Sequence, residues 1–504
     1  MKPVNSLLFL FFICLTAIGL HNHAMWLDET SCWLVARDSN SFGEMLQNNA
    51  NGGHPIIWNL LLFILSRFTQ SIIAMQVLHL CISATAAYLF LRYSPFSVLF
   101  KTGVLFSYFI FFEYNLISRS YDLSWLLIVV FCTLYMQEKK NYLLLTITLI
   151  LLANIHLFSL FVSLPLFIIT LYSYSKEATN IKRNLILYCL LFIAAVSFSL
   201  YIIIPPEQTL IVRQTAGHYT DYGRISKALS YFVRGYYPLP DFTDVHYWNT
   251  NYIVNHAKIL SIALTPSLIL IPLVLFYNKP LVLLLFHIPN LLILLFIFRL
   301  QLLTSVHYKG YLFMLLIISL WLSKDESLTR NYFSAKWTER LNKRKTWTYI
   351  PFISSILICQ VAAGAYAYYK DVTSPLSEGK EVANYIKTNS PDALVMIEPY
   401  YQGPAVAGYL GKKVYYPEKN MFGSFVNWDS IPHMSRNALY NSITNRINAT
   451  TEKNIALVLA YSDDSIKAMQ HYIETSNYII KEKKEFTRGA IRSENYVVYL
   501  IEKK

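Results

Sequence analysis

Some eleven apolar runs, many close to the length a helix needs to cross a bilayer, succeed one another between residues 5 and 367. They lie at about 5–20, 71–91, 103–118, 122–136, 142–157, 158–175, 184–204, 257–277, 280–298, 308–322 and 348–367. A span takes roughly 17–25 such residues, so several are near the short limit. No other feature constrains the fold as strongly. In hydrocarbon a segment must satisfy its own backbone polar groups, and a helix does so internally. Composition agrees: 55% of the 504 residues are hydrophobic and 14% charged, against about a quarter charged in soluble chains. The expected fold is mainly α: a polytopic membrane helical bundle of about eleven spans with interfacial helices, followed by a C-terminal α/β extracytoplasmic domain.

The net charge of +13 is not a nucleic-acid footprint, because the basic residues sit in short loops between the runs. Arg92 and Lys101 occupy one loop, Lys139 and Lys140 another, Lys176, Lys182 and Arg183 a third, and Lys279 a fourth. The strongest runs from Lys324 to Lys345. If each run crosses once, all of these share a side, which the positive-inside rule makes cytoplasmic. The N-terminus is then cytoplasmic, and the loops 21–70 and 205–256 and the tail after 368 are outside. The apolar stretch 54–69 would break this pattern if it crossed, so it reads as an amphipathic helix in the outer interface. The start Met1-Lys2-Pro3 with Leu7–Leu20 has no small-residue cleavage site and reads as a retained first helix. The six cysteines form no C-x-x-C pair, which argues against a disulfide framework or a zinc site.

Residues 1–370 make the membrane module. From 371 onward, helix-like segments (377–389, 435–448, 465–476) alternate with strand-like ones (393–397, 413–416, 455–460, 478–486, 496–501), as in a small α/β domain. No Gly-rich phosphate loop occurs there.

Chemistry concentrates at Trp26-Leu27-Asp28-Glu29-Thr30, where the first run emerges. Adjacent carboxylates at that position suit a catalytic base. They also suit caps and first-turn acids of a following helix. Glu113 lies in an aromatic-apolar stretch, where an ionisable group is costly and so a functional candidate. The alternative is a structural Glu113–Arg119 ion pair. His156 ends the fifth run and is a weak candidate beside a simple packing role. The 205–256 loop brings Arg213, Arg224 and several tyrosines, suited to phosphate neutralisation and sugar stacking or to an interfacial aromatic belt. His307 and Lys309 gather before the tenth run.

The order of Asp28-Glu29, then Gly53-His54-Pro55-Ile56, then Ser118-Arg119-Ser120-Tyr121-Asp122 resembles the GT-C superfamily of integral-membrane glycosyltransferases. Within it, the likeness is to the protein O-mannosyltransferase and lipid A aminoarabinose transferase branch. Pro55-Ile56 stands where Pro-Pro is commoner, and Tyr121-Asp122 where Leu-Asp is. The resemblance implies a polyprenyl-phosphate sugar donor in the bilayer, such as undecaprenyl-phosphate-hexose, and inverting transfer to a periplasmic glycan or glycolipid acceptor such as lipopolysaccharide or O-antigen. It implies a bacterial inner membrane location. Asp28 is then the base, with Glu29 second or orienting. His54 and Arg119 receive the leaving phosphate, with Arg213, Arg224 or Lys309 as alternatives; Glu113, Tyr121, Asp122, His156 and His307 are further site candidates. No residue cluster has metal-ligand spacing, and a divalent cation stays open as a cofactor. Two other functions fit the layout: a glycan polymerase or ligase acting on lipid-diphosphate-linked oligosaccharide, and a lipid or solute transporter.

Overall fold

The computed structural model describes residues 2–49, 55–177, 181–204, 222–300, 305–427, 434–460, 463–476 and 478–503. Helix α1 (Pro3–Asn22) begins on a proline, whose missing N–H costs nothing in a first turn. Three short helices follow: α2 (Leu27–Asp38), α3 (Phe42–Asn49) and α4 (Ile57–Ser66). The 10 residues of α4 reach only about 15 Å, so this helix is too short to cross. Next come α5 (Ile73–Tyr93) and α6 (Val98–Leu105), a π-helical turn at Tyr108–Glu113, and α7 (Ser120–Tyr135). Then follow α8 (Tyr142–Ala153), α9 (Leu157–Glu177), α10 (Ile181–Ile203), α11 (Tyr222–Tyr236), α12 (Tyr252–His256), α13 (Lys258–Leu275), α14 (Pro280–Leu300), α15 (Val306–Leu322) and α16 (Ala335–Thr373). Among the described residues 7 helices are long and apolar enough to cross a membrane: α1, α5, α9, α10, α13, α14 and α16. The apolar helices α7, α8 and α15 are shorter.

The expected run 103–118 is not one α-helix. The chain leaves α6 at Phe106, and the Ser107 hydroxyl caps a new start by accepting from Ile110 N–H. The turn from Tyr108 to Glu113 then closes in the wider π pattern, with Tyr114 N–H donating to Phe109 O at 2.8 Å. Such turns are rare and often mark functional sites. The break is held from outside by α16: a Cβ on Gly364 would lie 2.8 Å from Phe106 O and 3.0 Å from Tyr108 N. A second departure is the start of α16, which begins at Ala335 rather than near 348 and so absorbs the basic Lys336–Lys345 segment into the helix. Helix α15 is buried along its whole length and forms the post around which the bundle packs; a helix apolar on every side is one that others enclose.

The C-terminal part contains α17 (Gly379–Asn389), α18 (Gly403–Leu410), α19 (Arg436–Ala449) and α20 (Asp463–Thr475). Its strands are β1 (Leu394–Glu398), β2 (Val414–Tyr416), β3 (Met421–Gly423), β4 (Asn454–Ala460), β5 (Tyr478–Phe486) and β6 (Tyr496–Lys503). Helix α18 and strand β3 have no counterpart in the sequence reading. The 6-stranded sheet runs β3-β2-β1-β4-β6-β5, parallel where β1 meets β2 and β4 and antiparallel elsewhere. Side chains alternate across it. Leu394 and Met396 pack with Leu439, Ile443 and Ile447 of α19. Val395, Ile397, Ala456 and Val458 face the other way, into a hydrophobic core continuous with that of the bundle.

Gly364→Val should push α16 off the π turn. The expected loss is about 1–3 kcal/mol, the usual cost of overpacking, seen as a lower thermal unfolding midpoint of the purified protein. An unchanged midpoint would mean that the two backbones can separate without cost.

Candidate functional site

Asp28 and Arg119 meet where α2 crosses the start of α7. Trp26 caps α2, so Asp28 and Glu29 are its second and third residues. Successive helix residues point about 100° apart, and the two carboxylates accordingly have different fates. Glu29 turns inward and is fully buried. One of its oxygens accepts from Trp26 N–H at 3.1 Å, half of a capping box, and lies 3.0 Å from His23 Nε2. The other accepts from Ser118 N–H at 2.5 Å. Of the two readings of this acidic pair, capping thus describes Glu29. Asp28 turns toward Arg119, and its side chain stays 28% exposed.

Ser118 precedes Arg119, so Glu29 fixes the turn that aims the guanidinium. Arg119 Nη1 donates to the Asp28 carbonyl at 2.5 Å and lies 3.4 Å from Cys32 Sγ, while Nη2 is 3.7 Å from Asp28 Oδ2. His79 braces the same turn from α5, its ring nitrogens 3.2 and 3.3 Å from the Asn115 and Arg119 carbonyl oxygens. Burial pushes the Asp28 carboxyl above its usual range, Arg119 pulls it back and Glu29 pushes it up again. A carboxylate so placed is a stronger proton acceptor than one in water.

Helix α2 is anchored by residues far along the chain. His23, at the end of α1, is fully buried with Nδ1 2.8 Å from Asp371 Oδ2 and Nε2 3.0 Å from Glu29 Oε2. Burial opposes its charge, but the Asp371 and Glu29 carboxylates outweigh that and raise its pKa from 6.5 to about 10. Glu494 accepts from Leu27 N–H at 2.8 Å, and Met25 N–H donates to Tyr409 at 2.7 Å. Burial, which outweighs the bonds from Ser377 and Leu27, raises the Glu494 pKa to about 8.

An aromatic wall adjoins the Asp28–Arg119 pair. Trp26 packs on Trp248 with ring centres 4.9 Å apart, and both reach the His307 ring. Tyr121 stacks on His307 at 4.9 Å and on Tyr114 at 5.4 Å. His156 stacks on Tyr308 and Tyr311. Glu113 is not paired with Arg119 as the structural alternative expected. It is fully buried, accepts from Tyr108 at 3.1 Å, and lies 3.8 Å from His307 Nδ1. Lys309 Nζ donates to Asn249 Oδ1 at 3.0 Å and sits over the Tyr231 ring.

The structure thus brings Asp28, Glu29 and Arg119 together, and Glu113, Tyr121, His156, His307 and Lys309 into the adjoining wall. Asp122 is buried against α5, where it accepts from Ser83 Oγ at 2.5 Å. His54 and Arg213 lie outside the described residues, as does the side chain of Arg224. His23, His79, Trp248, Asp371 and Glu494 escaped the sequence reading. Only Trp248 carried a local signal, as an aromatic in the Tyr-rich loop. Among the described residues no three His, Cys, Asp or Glu side chains are grouped to hold a metal ion.

No family model matches the chain, and no curated protein matches it in sequence. Among solved structures it is similar to the crystal structure of ArnT from Cupriavidus metallidurans bound to undecaprenyl phosphate. That match has a TM-score of 0.49 at 10% identity and covers 98% of this chain and 97% of that one. A likeness so distant assigns neither a site nor an activity.

The His23 shift makes a signed prediction. A folded pKa of about 10 against 6.5 means that this ion network contributes its full stability below pH 6.5 and loses it as pH rises through 10. The thermal midpoint should fall over that window. His23→Gln should lower the midpoint throughout and flatten this part of the fall; a wild-type profile flat from pH 7 to 10 would mean that His23 is neutral.

Proposed function

We propose that this chain is a membrane glycosyltransferase that moves a sugar from a polyprenyl-phosphate donor to an acceptor hydroxyl. The observation that carries this reading is the partly exposed Asp28 carboxylate, with raised proton affinity, held beside the Arg119 guanidinium next to an aromatic wall. An acceptor hydroxyl attacks the anomeric carbon while the bond from that carbon to the phosphate oxygen breaks. Its proton passes to Asp28 and then to solvent. The departing polyprenyl phosphate takes the electron pair, and Arg119 neutralises the charge that develops there. Glu29 is a positioning residue, because both of its oxygens serve to set the 118–119 turn and the start of α2. Of the rings in this wall, the half-buried Trp248 suits the apolar face of a sugar.

The finer reading is an undecaprenyl-phosphate-hexose donor and a periplasmic cell-envelope acceptor such as lipopolysaccharide or O-antigen, with inversion at the anomeric carbon. It rests on the resemblance in the sequence and on the basic loops that orient the bundle.

Purified protein incubated with a panel of polyprenyl-phosphate sugars should consume one of them. Asp28→Asn should lower the rate by about 10²–10⁴-fold, the scale of general-base help, with the thermal midpoint retained. Because the Asp28 carboxyl lies above its usual range, the acid limb of the wild-type kcat/KM profile should fall at a higher pH than an ordinary carboxylate gives, and the variant should lack it. A fully active variant would remove Asp28 from the mechanism.

A further inference from the structure

Helix α11 is amphipathic in a particular way. Lys227, Ser230 and Arg234 are spaced i, i+3 and i+7, which places them on one face. That face looks across a groove of about 710 Å³ toward the start of α13, where Lys258 is the first helical residue. Three cations therefore line one groove, and among the described residues none that line it is acidic. Serine and threonine residues of both helices also line it. The walls are apolar: Ile225, Leu229 and Ile262 all line the groove and all face outward, Ile262 with 73% of its surface exposed.

The vertical placement matters as much as the composition. Helix α13 is long and apolar enough to cross a membrane, and its first turn lies at head-group height if it does. Cations at that height beside exposed aliphatic side chains match a molecule with an anionic head and a hydrocarbon tail. We infer that the α11–α13 groove binds one anionic glycerophospholipid of the surrounding bilayer, its phosphate between Lys227, Arg234 and Lys258 and an acyl chain along Ile262. A zwitterionic lipid offers the same phosphate but brings a cationic head group beside three cations. The groove borders the wall beside the Asp28–Arg119 pair. Arg234 donates to the Asn249 carbonyl at 3.4 Å, and the same residue's side chain holds Lys309. The inference does not depend on the reaction proposed above, and binding can be read with no sugar donor present.

The test uses the full chain in a neutral detergent, titrated with phosphatidylglycerol or phosphatidylcholine and followed by native mass spectrometry. One phosphatidylglycerol should be retained in preference to phosphatidylcholine. Lys227→Gln with Lys258→Gln removes two head-group charges and should weaken phosphatidylglycerol binding by about 30-fold, at the usual contribution per charge. Both lysines are exposed, so the thermal midpoint should not move. Equal retention of the two lipids, or a double variant that holds phosphatidylglycerol as tightly as the parent, would overturn the inference. So would displacement of phosphatidylglycerol by an equimolar polyprenyl phosphate, which would reassign the groove to the isoprenoid lipid.

Discussion

The buried ion network of His23, Glu29 and Asp371 is the contact on which the rest of the site depends. It joins the end of α1, the first turn of α2 and the last turn of α16. Burying charges is expensive unless each is paired. An imidazolium between two carboxylates, at 2.8 and 3.0 Å, goes part of the way, and Glu29 also accepts from the Trp26 and Ser118 N–H groups. The remaining geometry follows from it. With Glu29 drawn inward, helix geometry turns Asp28 outward. With the second oxygen of Glu29 on Ser118 N–H, Arg119 is delivered to Asp28.

The C-terminal sheet takes part in this arrangement. Glu494 takes up Leu27 N–H, which a helix start leaves without an internal partner, and Tyr409 takes up Met25 N–H just before the helix. One face of the sheet also shares its apolar core with the bundle. Helix α2 is thereby held on one side by the bundle and on the other by α18 and the turn before β6. Such anchoring is what the proposed role of Asp28 as a proton acceptor requires, because displacements near 1 Å are enough to slow a reaction greatly.

A second structural choice shapes the wall beside the acid. The π turn at Tyr108–Glu113 carries Glu113 between Tyr108 and His307, and Gly364 allows α16 to hold that break closed. His307 in turn stacks on Tyr121, two residues beyond Arg119. Aromatic and ionisable groups are thus interleaved across α15, α7 and the 245–250 segment, elements distant in sequence.

Much of the bundle was readable from the chain alone. Hydropathy and basic loops are properties of each local stretch, so apolar runs such as 5–20 and 71–91 reappear as α1 and α5, and the alternation after 393 reappears as β1, β4, β5 and β6. The Asp28-Glu29 pair and the Arg119 motif were conspicuous for the same reason: they are short, local and chemically unusual. Which acid faces the cation, which caps the helix, and what partner Glu113 finds were decided only in three dimensions. His23 and Asp371 are 348 residues apart and Leu27 and Glu494 are 467 apart. No periodicity encodes a pairing at that separation. It exists because a buried polar group must find a partner among whatever the packing brings near, and only the folded bundle determines what is near.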